Sequence, residues 1–114
     1  MKPVVKVWCL PEITEKELRN LFREIVTALC SIESLGIDNE TDLIVLFPKD
    51  MMKYGLGTEI VVEMTDFFCH GLNYESVFQN ATDSIVALLK NLYPDTHIQC
   101  RLWRNVNSYH SETQ

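Results

Sequence analysis

The chain has 114 residues, of which 46% are hydrophobic, and its 16 acidic against 10 basic side chains give a net charge of -6. That length suits one domain burying roughly two-thirds of the surface its unfolded chain exposes, and the acidic balance argues against a nucleic-acid partner, because that affinity comes from clustered Lys and Arg. No apolar run approaches the roughly 18 residues of a membrane-spanning helix, and no leader-like N-terminal segment precedes the first strand, so a soluble, cytoplasmic protein without a membrane partner is expected.

In chain order, "VVKVWC" (residues 4–9) reads as a strand, β-branched and aromatic, closed by Pro11. The clearest helix spans residues 14–34, where Leu18, Leu21, Phe22, Ile25, Leu29 and Ile32 recur at helical spacing. Thr14 and Glu17 form a capping box at its start, and Gly36 is its expected stop. A second strand, "LIVLF" (43–47), follows, and then "PKDMMKYGLGT" (48–58), too long for a two-residue hairpin. The third strand is "EIVVEMT" (59–65). A second helix is expected over 73–92, with Asn73 as cap, Val77, Ala81, Ile85, Leu88 and Leu92 on one face, and Pro94 closing it. "IQCRLW" (98–103) is the fourth strand, and the polar 105–114 segment is a tail beyond a single 1–104 domain.

The order is βαβ then βαβ, an α+β chain. The stretch "REIVTALCSIESLGIDNETDLIVLF" from Arg23 parallels "DSIVALLKNLYPDTHIQCRLW" from Asp83 at an offset of 60, with a shorter loop in the second copy, which suggests an internal duplication. Right-handed crossovers place both helices on one face of a four-stranded sheet. The other face is left bare, yet the continuous apolar runs "LIVLF" and "IVV" are those of strands covered on both sides. Another copy of the chain is the expected cover.

The four cysteines, Cys9, Cys30, Cys69 and Cys100, form no C-x-x-C pair. They read as reduced structural thiols, with no metal site and no cofactor implied.

The opening "PVVKVWCLP" and the segment "VLFPKDMMKYGLG", set in this element order, resemble the tautomerase superfamily, particularly its macrophage migration inhibitory factor branch. The matching residues are Pro3 with Val7, Pro11, and Phe47 to Met52 followed by Gly55 and Gly57, within a span of residues 3–104. The resemblance implies a homotrimer whose three sheets enclose a central barrel. It also implies keto-enol isomerisation of a small α-keto acid by an N-terminal proline. Such an amine titrates near neutrality when its pocket disfavours the ammonium form, so it can take a proton from carbon and return it.

Here Lys2 precedes Pro3, so the Pro3 nitrogen is a tertiary amide with no lone pair to act as a base. A lysine at the second position also protects Met1 from removal. The standard chemistry is then blocked at Pro3, and Lys2 extends toward the pocket. Two routes around the block stay open: the α-amino group of Met1 as a replacement base if the extension folds into the site, or processing that exposes Pro3. Carried over by position, the family's aromatic and amide near the start of the last strand fall at His97 and Gln99, while the cation after the first helix's glycine is replaced by Ile37. Arg101, with Lys6 and Arg104, is a strand cation suited to a carboxylate. Pro3 and Met1 are therefore the catalytic candidates, and Lys2, His97, Gln99 and Arg101 the candidates for binding a small organic acid. Read without the resemblance, these are solvated strand residues, and the chain is a non-catalytic ligand-binding or interaction module of α+β plait type. The neighbouring Cys69 and His70 are set aside as a nucleophile and base, since adjacent side chains rarely reach one atom and no orienting third group is evident.

Overall fold

A computed structural model describes residues 2–53 and 58–103. Met1, Tyr54, Gly55, Gly57, Arg104 and the 105–114 tail lie outside the described residues. Four strands, β1 (Val4–Trp8), β2 (Ile44–Leu46), β3 (Glu59–Thr65) and β4 (His97–Leu102), and two helices, α1 (Glu15–Cys30) and α2 (Tyr74–Leu92), follow in the expected βαβ-βαβ order.

The sheet order is β2-β1-β3-β4. Its central pair, β1 with β3, is antiparallel, and each central strand carries its own crossover partner in parallel, β1 with β2 and β3 with β4. Side-chain alternation then separates two faces. Val5 and Val7 of β1 lie opposite Met64 and Val62 of β3, and all four are fully buried, as is Ile60. They meet Leu21, Ile25 and Leu29 of α1 and Ala81, Ile85 and Leu89 of α2 in one core, so both helices cover the same face. The core positions of the two helices keep the offset of 60: Leu21 with Ala81, Ile25 with Ile85, Leu29 with Leu89.

Helix α1 begins where the capping box places it. The Thr14 side chain accepts from the Glu17 amide at 3.1 Å, and the Glu17 carboxylate accepts from the Thr14 amide at 3.2 Å. It ends at Cys30, four residues before the expected boundary. Ile32 leaves the helical region (φ -95°, ψ 95°) and the chain turns again in a short 3-10 segment, Glu33–Leu35, which is what Gly36 (φ 69°) terminates. Ile32 is still buried, through that turn rather than through the helix.

Two further expectations shift. The buried face of α2 centres on Ala81, Ile85 and Leu89, and Leu92, the last residue of the helix, is 42% exposed although it lies on the same stripe. Asn73 makes no side-chain cap bond. In β2 only Val45 points toward the helices. Ile44 and Leu46, 40% and 45% exposed, stand on the open face, which no element of the chain covers among the described residues.

Candidate functional site

Pro3 enters β1 at one end of the sheet. Its nitrogen is acylated by Lys2, and its carbonyl accepts the Ile44 amide at 2.9 Å, which ties it to the first residue of β2. Pro3 is half-buried and Lys2 is exposed. Val4, the next residue, lies between Ile44 and Thr65, so the loop leaving β3 belongs to this same end. In that loop Asp66 has φ 62°, and the His70 amide donates to the Ser34 carbonyl at 2.8 Å. The His70 ring packs over Gly36, where an added Cβ would sit 2.8 Å from Nε2, and meets Phe68 edge-on with centroids 5.0 Å apart. The structure thus gives His70 a partner in Gly36 rather than a role with Cys69. The sequence holds only a weak signal for it, a glycine after α1 and a histidine after β3, with nothing local to link them.

His97, Gln99 and Arg101 alternate along β4 and all stand on the open face, as their i, i+2, i+4 spacing requires. They do not converge on Pro3. His97 is opposite Glu59, at the other end of the sheet, with its Nδ1 3.7 Å from the Glu59 carboxylate. Six residues of β3 separate Glu59 from Thr65, about 20 Å at the rise of a strand. Arg101 is nearer, in a cross-strand row with Glu63 and Lys6. Glu63 also accepts the Trp8 indole N–H at 2.7 Å, which fixes its carboxylate between the two cations. One protomer brings Lys6, Glu63 and Arg101 together; it keeps His97 and Gln99 away from Lys2 and Pro3.

At the end of the sheet opposite Pro3 lies a cleft of about 630 Å³. The C-terminal end of β1 forms its floor at Val7 and Cys9; Leu10, Leu18, Phe47 and Pro48 make apolar walls, and Glu12, Lys49, Asp50 and Lys53 supply its charge. The Cys9 thiol donates to the Asp50 carboxylate at 3.4 Å. Cys9 and Lys53 adopt φ of 69° and 56°, the left-handed region that non-glycine residues seldom occupy.

Burial acts on two of the other thiols. Burial, with the Asp83 charge second, pushes the Cys100 thiol up to about 12. Burial, reinforced by Asp38 and Asp42, raises that of Cys30. None of the four cysteines is in a disulfide, and no group of His, Cys, Asp and Glu able to hold a metal occurs among the described residues. No helix among them is long and apolar enough to cross a membrane.

The sequence matches no protein-family model and no curated protein. Its structure is similar to that of macrophage migration inhibitory factor from Toxoplasma gondii, with a TM-score of 0.64 and 12% identity over 96% of each chain. The chain has a tautomerase-superfamily fold. It is likewise similar to macrophage migration inhibitory factor from Giardia lamblia, with a TM-score of 0.61 and 14% identity over 90% of this chain and 98% of that one. A fused 4-OT, solved as an asymmetric trimer, gives a TM-score of 0.58 and 12% identity over 97% of this chain and 94% of that one. The tautomerase fold accounts for the paired βαβ units on either side of the central β1-β3 ladder.

Proposed function

We propose that this tautomerase-fold chain forms a homotrimer that binds a small α-keto acid between its copies in the cytoplasm, with the proline base of the fold withheld by Lys2. The observation that carries the reading is the state of Pro3: a peptide nitrogen has given its lone pair to the Lys2 carbonyl, and the Ile44 bond holds the residue in the ladder. An amide cannot accept the proton that keto-enol exchange removes from carbon. In this reading the neighbouring copy supplies His97 and Gln99, since within one protomer His97 stands about 20 Å from Pro3 by strand rise. Lys2 and Arg101 receive the carboxylate, and the Met1 amine is the replacement base. The exposed Ile44 and Leu46 on the uncovered face support association, as do three fused 4-OT structures of similar fold solved as trimers. Four cysteines without a disulfide suit a reducing compartment.

The test is ketonisation of phenylenolpyruvate by two forms whose N-termini are checked by mass spectrometry. The chain carrying Lys2 is expected to turn over at background, and a form beginning at Pro3 to gain at least about 100-fold, the usual scale of a positioned acid-base group. Pro3→Ala in the shortened form removes the gain. Strong turnover by the Lys2 form that survives Pro3→Ala and disappears on blocking the Met1 amine assigns the base to Met1 instead. Sedimentation as a monomer overturns the shared site.

A further inference from the structure

The cleft at the far end of the sheet is unused by the site proposed at Pro3. Its floor, Val7 and Cys9, lies at the far end of β1, whereas Pro3 precedes the strand, so the two lie about 13 to 20 Å apart along it. We infer that this cleft is a second binding site, for a small organic carboxylate with an aromatic or branched apolar body.

Its volume of about 630 Å³ lies in the usual range of small-molecule pockets. The lining has the matching division: Leu10, Leu18, Phe47 and Pro48 offer apolar contact, and charge is confined to one loop and the rim. Of the two acids, Asp50 accepts the Cys9 thiol, which engages it on the wall, and Glu12 is exposed. Lys49 and Lys53 have no ion-pair partner among the described residues. Two exposed ammonium groups beside an apolar cavity match an anionic head on an apolar body. The backbone points to the same place. Of the three non-glycine residues described with positive φ, two, Cys9 and Lys53, line this cleft. Such conformations concentrate at binding and catalytic positions, where surrounding structure holds them. The Lys53 conformation closes a turn in which its amide donates to the Asp50 carbonyl at 3.1 Å, setting both lysines of the loop at the cleft.

The experiment is an amide-resolved NMR titration of the full chain with 3-phenylpropanoate, alongside the neutral 3-phenylpropanamide and inorganic phosphate. Saturable shifts at Cys9, Leu10, Phe47 and Lys49 are expected with the carboxylate, and little with the amide or with phosphate, which each lack one half of the match. Lys49→Gln with Lys53→Gln is expected to weaken the carboxylate about tenfold, from two exposed charge contacts. Both residues are exposed, so the fold is retained, and unchanged shifts in α2 verify it. Absence of saturable shifts in the cleft, equal binding by the amide or by the double variant, or shifts confined to Val4 and Thr65 overturns the proposal. The last result would favour the Pro3 site alone, so the two readings fail separately.

Discussion

The two ends of the sheet are built by the same backbone device and finished with different chemistry. At one end the Pro3 carbonyl accepts the first amide of β2 at 2.9 Å; at the other, the Thr58 carbonyl accepts the first amide of β4, that of His97, also at 2.9 Å. Each bond starts a parallel pair, and behind each the helices present matched core positions 60 residues apart. What differs is what the strand entries carry. One is a proline leading into an apolar β1 and an exposed Ile44, the other a threonine leading into Glu59 and His97. The connections differ too. Two short 3-10 turns separate α1 from β2, whereas α2 reaches β4 through Tyr93 to Thr96 alone. The interior is therefore nearly symmetric and the ends are not, as expected if packing constrains both halves alike while function acts at the entries.

The sharpest way to break this equivalence is to cut the core on each side of it. Leu29→Ala and Leu89→Ala remove fully buried side chains at matched positions, and each is expected to cost about 3 kcal/mol by urea unfolding. Costs differing by more than about 1.5 kcal/mol would deny that the halves are packed alike. A smaller effect belongs to the first half only. Gly36→Ala forces a side chain into φ 69° and against the His70 ring, for an expected loss of about 2 kcal/mol. In a His70→Ala background the steric part should vanish and leave about 1 kcal/mol from the backbone. An undiminished loss there would mean that the ring does not matter. The smallest effect is on pH dependence. The folded chain holds the Cys100 proton to about 12 against an ordinary 9.0, so the unfolded chain ionises first. Stability is then level below that ordinary value and falls above it, by at most about 1.4 kcal/mol per pH unit. Comparing unfolding midpoints at about pH 8 and about pH 10.5 in the parent and in Cys100→Ala checks this, the variant being flatter.

Local chemistry made much of this legible before any coordinates. The capping box set the start of α1, and the β-branched run in "EIVVEMT", bounded by turn residues, set β3 residue for residue. Each of those signals is carried by residues a few positions apart. The misses needed tertiary information. Nothing within "LIVLF" tells that only Ile44–Leu46 pair or that two of those three side chains face outward; that follows from the register with β1. The distance between Pro3 and His97 depends on β1 and β3 running antiparallel, which element order alone leaves open. The cleft draws on the end of β1, the start of α1 and the loop after β2, so it exists only once β1 and β2 lie side by side.

The brevity of β2 has a consequence for solubility. As a border of the sheet it presents unpaired peptide groups over only three residues, beside two partly exposed apolar side chains. A ladder that short can register one neighbouring chain but is a poor template for indefinite strand addition. The opposite border, β4, carries Arg101, whose charge discourages stacking. Protein made at high concentration is therefore expected to resist growth into fibres, because the edges that invite company are too small and too charged to extend it.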